Sequence, residues 1–190
     1  MKFVLASGSP RRRELLSLVI DEYDVVPADI DEDMTVNENP MDYVCRMAYE
    51  KAAAVAVDYQ DSIVIGCDTV VELDGEILSK PADEKQAFSI LKKLSGNIHN
   101  VMTAVTIFRP LKSNENFPIS FVETTKVEFW DLSEKQIYLY ISCGESFDKA
   151  GGYGIQGKGA LLVKSICGDY FNVVGLPVSM LSRKLDEWGC

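Results

Sequence analysis

Ten residues near the amino terminus, Ser7-Gly8-Ser9-Pro10-Arg11-Arg12-Arg13-Glu14-Leu15-Leu16, constrain the fold more than any other stretch. They follow an apolar run, residues 3–6, that reads as a strand. Small residues make the turn, and proline opens a helix where its missing N–H is not needed. Ser9 is a good N-cap, and the first-turn N–H groups carry partial positive charge. Three arginines share that turn, an unfavourable place for cations unless an anion neutralises them. The unit therefore reads as an anion cradle; the plainer alternative is a solvated basic turn. Helical phase favours the cradle. Arg12 lies three, four and seven residues before Leu15, Leu16 and Val19, on the inward stripe. An inward arginine needs a partner.

The chain has 190 residues, 47% hydrophobic and 25% charged, enough for a packed core in one domain spanning residues 1–190. Strand and helix patterns alternate, which points to α/β layers. The formal net charge of −10 argues against a general nucleic-acid binder. It also makes the arginine cluster a local exception on an acidic body, where a metal cation could help hold an anionic substrate. The five cysteines (Cys45, Cys67, Cys143, Cys167 and Cys190) are widely spaced and fit neither a zinc pattern nor a disulfide framework. With no secretory pattern at the start and no run near the ~20 apolar residues of a membrane span, the expected location is the cytoplasm.

Further strands are expected at residues 23–26, 62–67, 70–73, 76–78, 100–108, 121–129 and 160–166. Asp74-Gly75 signals a hairpin. Helices are expected at 39–58, 83–94, 133–142 and 178–188, and a polar loop at 110–118. No internal repeat is present.

Two charged residues sit in unexpected places. Val44, Met47, Ala48 and Val55 form a helical stripe, and Lys51 lies at its centre where an apolar residue belongs. Such a lysine should reach a polar cleft and meet an acid or a phosphate. Its plainer alternative is a snorkelling side chain. Asp68 ends an apolar run suited to a central strand, and in open α/β sheets ligands sit at carboxyl ends of strands. A carboxylate there can hold Mg²⁺ or take a proton from water. The acidic loop 29–33 offers further oxygen ligands, although most of it reads as solvated. The glycine-rich run 150–159 has neither Walker A nor dinucleotide-binding spacing. Gln156 within it could read a base edge; a turn before a strand explains the run equally well. His99, the only histidine, reads as structural, which disfavours a Ser-His-Asp hydrolase.

Several pieces together resemble the Maf family of nucleoside triphosphate pyrophosphatases. They are Ser7-Gly8-Ser9-Pro10-Arg11-Arg12, Asp31-Glu32, Glu50-Lys51, Gly66-Cys67-Asp68-Thr69-Val70, Lys80-Pro81 and Leu94-Ser95-Gly96. The segments Asp148-Lys149-Ala150-Gly151-Gly152-Tyr153-Gly154-Ile155-Gln156-Gly157 and Asn172-Val173-Val174-Gly175-Leu176-Pro177 match as well. The resemblance implies an α/β fold: a mixed twisted sheet with flanking helices, in two lobes around a central cleft. It implies a homodimer and a divalent metal (Mg²⁺, or Mn²⁺ or Co²⁺), with hydrolysis of a nucleoside triphosphate to monophosphate and pyrophosphate. By motif match Asp68 is the general base, and Glu32 and Asp68 are metal carboxylates. Arg12, Lys51 and Lys80 hold phosphates, and Ser7 and Ser9 line the cradle. The set Arg11, Thr69 and Gln156 goes with pyrimidine substrates, dTTP and UTP.

Two other readings compete. Asp31-Glu32-Asp33-Met34-Thr35-Val36 matches the D-x-D-x-[TV] nucleophile loop of haloacid-dehalogenase phosphatases, but Pro27 and Asp29 break the strand that should precede it. The same cradle could also serve a non-enzymatic nucleotide-binding regulator of growth or division, although a sensor needs fewer carboxylates beside an anion.

Overall fold

The computed structural model describes residues 1–35, 38–110 and 118–187. The expected loop at 110–118 therefore falls largely outside the described residues, as do Val36, Trp188 and Cys190. The chain divides into two compact units. The first comprises Met1–Asp68, Thr103–Glu123 and Gly175–Cys190; the second comprises Thr69–Met102 and Thr124–Val174.

The strands are β1 (Lys2–Leu5), β2 (Asp24–Val25), β3 (Ser62–Leu73), β4 (Glu76–Leu78), β5 (Ile98–Phe108), β6 (Ile119–Phe129) and β7 (Val163–Cys167). They form a mixed seven-stranded sheet in the order β2-β1-β3-β5-β6-β7, with β4 on β3. The helices are α1 (Pro10–Leu16), α2 (Pro40–Ala56), α3 (Glu84–Leu94), α4 (Glu134–Ile141), α5 (Tyr170–Val174) and α6 (Val178–Glu187). This is the mixed α/β architecture expected from the alternating pattern.

In the first unit, β1 pairs in parallel with β2 (Leu5↔Val25) and with β3 (Leu5↔Ile65). Asn39 caps α2, its side chain accepting from the Asp42 N–H, and proline follows at the first position. The helix buries Val44, Met47, Ala48, Ala52 and Val55, and each fully buried Val or Met side chain contributes about 1.5–3 kcal/mol. It meets β3 at Gly66, whose missing side chain sets the separation. A Cβ there would lie 2.5 Å from the Ala52 nitrogen and 2.6 Å from the Ala48 oxygen.

The sequence pattern ended a strand at Asp68, but β3 continues to Leu73. Val70, Val71 and Leu73 are strand formers, and β3 turns back into antiparallel β4 through Asp74 (φ 54°) and Gly75 (φ 84°). Both φ values are positive, as a type I′ hairpin requires. With pairing on both sides of it, Asp68 lies within a strand rather than at its end.

The second unit has its own core, in which Leu91, Val127, Phe129, Ile137 and Tyr153 are almost fully buried. Phe88 of α3 stacks on Tyr138 of α4 at 4.8 Å. Ser133 and Gln136 complete a capping box at the start of α4. The glycine-rich run forms two short 3₁₀ turns, Ala150–Gly152 and Gly157–Leu161. The second turn delays β7 to Val163, later than the pattern suggested. The short α5 was not anticipated, because five residues are too few to show a helical period.

Candidate active site

The centre of the site lies within the first unit, where a helix, a strand and a loop converge on one nitrogen. Lys51 sits between Ala48 and Ala52, the two α2 residues that press against Gly66. Close packing at Gly66 therefore brings the lysine beside β3, two residues before Asp68. The ammonium donates to Asp68 Oδ1 at 2.7 Å. It also pairs with Glu32 Oε1 at 2.7 Å. Only 10% of the Lys51 side chain and 13% of the Asp68 side chain are exposed, against 49% for Glu32. Burial alone would lower the lysine's pKa, but the Asp68 and Glu32 carboxylates outweigh it and hold the group above its usual value.

The backbone of the Glu32 loop is tethered by two half-buried residues of α2. Tyr43 donates its hydroxyl proton to the Glu32 carbonyl oxygen at 2.8 Å. Arg46 donates to the Asp33 carbonyl oxygen at 3.0 Å and grips both carboxylate oxygens of Glu38 at 2.7 Å. That fork is the strong bidentate geometry, and its hydrogen bonds hold the Glu38 carboxyl down at about 2. Burial, with Asp68 and Glu32 nearby, pushes the Tyr43 phenol up to about 12, so it stays a donor at neutral pH. Neither Tyr43 nor Arg46 was singled out from the sequence. The only signal for Arg46 is its four-residue spacing to Glu50, which closes as an ion pair of 3.3 Å.

The arginine turn forms the expected capped helix start, and Arg12 has partners within the protein. Ser9 caps α1, its hydroxyl accepting from the Arg12 N–H. The Arg12 side chain turns inward to protein carbonyls: Nε donates to Gly175 at 2.9 Å and Nη1 to Cys67 at 2.9 Å. Nη1 also donates to the buried Ser7 hydroxyl at 3.2 Å. Arg12 thus ties α1 to the residue before Asp68, using oxygens that no side-chain pattern reveals. Arg11, on the same turn, is half-buried.

Ser7, Arg12, Glu32, Lys51 and Asp68 all belong to the first unit, and the structure joins them in two linked sets: Ser7 with Arg12, and Lys51 with both acids. Thr69, half-buried, follows Asp68 directly but opens the second unit. Lys80 and Gln156 belong to that unit and are exposed. The acidic loop follows no strand directly, since β2 ends at Val25, so the phosphatase-like D-x-D match lacks the support its chemistry requires. Among the described residues no three His, Cys, Asp or Glu side chains form a metal cluster. The two carboxylates on one cation are nonetheless the donor set that Mg²⁺ commonly takes from protein when phosphates and water supply the remainder.

A family model described as "Maf-like protein" matches residues 2–188. The chain belongs to the Maf family. Among its relatives, a dTTP/UTP pyrophosphatase of Carboxydothermus hydrogenoformans is 47% identical over 189 residues, covering the whole of both chains. A dTTP/UTP pyrophosphatase of Geobacillus sp. (strain WCH70) is 49% identical over 188 residues, covering 99% of this chain and 98% of that one. A Staphylococcus aureus Ham1 protein has the same fold, with a TM-score of 0.57 and 15% identity over 99% of this chain and 100% of that one. A HAM1 protein of Coxiella burnetii is similar, at a TM-score of 0.54 and 14% identity over 98% and 99% of the two chains.

Proposed function

We propose that this Maf protein hydrolyses dTTP and UTP to the nucleoside monophosphate and pyrophosphate, keeping the nucleotide pool clean. The observation that carries the reading is the Lys51 ammonium held by two carboxylates from separate elements. It marks a position built for a cation, in a chain whose full-length relatives are named for this activity. Glu32 and Asp68 are the residues that would hold a divalent metal. When bound, the metal supplies charge neutralisation at the α-phosphate and at the departing pyrophosphate.

The chain's own residues do the rest. An Asp68 carboxylate oxygen takes a proton from the water that attacks the α-phosphorus. The bond from that phosphorus to the oxygen bridging to the β-phosphate breaks, and pyrophosphate leaves with the electron pair. General-base help of this kind contributes ~10²–10⁴-fold, and fixed cations stabilise the charge that develops. Arg12 and Lys51, with Ser7 and Ser9, are assigned to the phosphates. Thr69, Lys80 and Gln156 keep the base and phosphate contacts that the family resemblance gives them, with Arg11 favouring pyrimidines. A homodimer working in the cytoplasm completes the proposal.

Incubating the protein with each nucleoside triphosphate and Mg²⁺, Mn²⁺ or Co²⁺, then identifying the products, tests the reading. Pyrophosphate and monophosphate from dTTP and UTP support it. Orthophosphate as the first product, or a preference for purines, overturns the corresponding part. Intact nucleotide after long incubation leaves the binding regulator instead.

A further inference from the structure

We propose that Lys51 is a resident counter-cation: it occupies the position between Glu32 and Asp68 in the nucleotide-free protein and excludes a divalent cation until a polyphosphate arrives. The inference rests on the metal reading of Glu32 and Asp68 given above.

Three observations support it. The ammonium lies at the same 2.7 Å from an oxygen of each carboxylate, so it occupies both of the acids that would hold a metal. Each member is placed by a different part of the chain. Lys51 is set by the Ala48–Ala52 contact on Gly66, Asp68 by its strand, and the Glu32 loop by Tyr43 and Arg46. The lysine side chain is nearly enclosed, so it has little room to withdraw into water. A divalent ion entering this arrangement alone would place its charge against an ammonium that has just lost both partners. A polyphosphate changes the balance, because its oxygens receive the displaced ammonium while ligating the incoming ion. Metal and polyphosphate therefore bind with positive coupling, and by linkage each raises the other's affinity by the same factor. The lysine changes partner from carboxylate to phosphate, which accounts for a phosphate-holding residue being found on acids.

The test measures Mn²⁺ binding to the nucleotide-free protein by calorimetry or electron paramagnetic resonance. The unmodified protein should bind Mn²⁺ no better than Asp68→Asn. Lys51→Met should bind it roughly 5- to 150-fold more tightly, the span typical of site-to-site coupling, and Lys51→Met/Asp68→Asn should lose the gain. Equal affinity in the unmodified protein and Lys51→Met overturns the proposal, as does a gain that survives loss of Asp68. Should Lys51→Met not fold, the unmodified protein still decides: tight Mn²⁺ binding that Asp68→Asn abolishes would overturn the exclusion. Turnover is read separately. A protein inactive on dTTP that shows the Lys51→Met gain keeps this inference and rejects the activity.

Discussion

Lys51 and His99 are both buried and both titratable, yet they are solved in opposite ways. In the first unit Lys51 keeps its charge, because Asp68 and Glu32 outweigh the burial that would remove it. In the second unit His99 loses its charge. Its ring packs edge-on to Phe129 and Tyr153, and Nε2 shares a 2.7 Å hydrogen bond with the Tyr153 hydroxyl. Burial drives its pKa down to about 4, against the opposing charge of Glu72. Desolvation pushes each group towards neutrality; the partners decide whether it gets there. A lysine kept charged among acids is held for ionic chemistry, whereas a histidine kept neutral among aromatic rings packs a core.

The sharpest test of the charged side is Asp68→Asn. It should retain the fold while lowering kcat on dTTP about 10³-fold or more, as expected for loss of a general base; near-normal turnover would remove Asp68 from the chemistry. Next comes Gly66→Ala, which touches no charged group. The added methyl would overlap the Ala48 and Ala52 backbone, costing about 3 kcal/mol of stability and moving Lys51 away from β3. Thermal unfolding beside a kcat measurement checks both effects, and an unchanged Tm would refute the close approach.

The neutral side is tested by pH. A neutral buried ring contributes in full above the unfolded-state value of 6.5, and the contribution drains as pH falls towards about 4. Stability should drop by roughly 1.4 kcal/mol per pH unit across that window, or about 2 kcal/mol between pH 6.5 and 5. His99→Gln should flatten this part of the profile in urea titrations; an identical slope would mean the ring is not the group responsible. The smallest effect is expected from Tyr43→Phe. Losing one hydrogen bond to the Glu32 carbonyl is worth about 1 kcal/mol, so the Mg²⁺ needed for half-maximal activity should rise roughly fivefold while kcat at saturating Mg²⁺ holds. A fall in kcat alone would show that Tyr43 acts on something other than the loop.

What the sequence revealed follows periodicity. Lys51 stood out because it interrupts a regular apolar stripe, and the anticipated acid is where it should be. Asp74-Gly75, Asn39-Pro40 and Ser133 marked their turn and caps through local backbone chemistry. Glu32 could be separated from its acidic neighbours only by family resemblance, since a loop has no period. The partners of Arg12 were hidden for another reason: backbone carbonyls belong to every residue and leave no compositional trace. Asp68 was placed at a strand end because polarity broke the apolar run, although a strand's hydrogen bonds tolerate a polar side chain.

The two acids that share one cation have very different footings. Asp68 stands within a twelve-residue strand, while Glu32 rides on a segment outside any strand or helix. Deuterium uptake should make that asymmetry visible, with slow amide exchange through 62–73 and rapid exchange through 29–33. When the ammonium changes partner, the acid on the loop has the freedom to follow, while the strand keeps the other acid where it is.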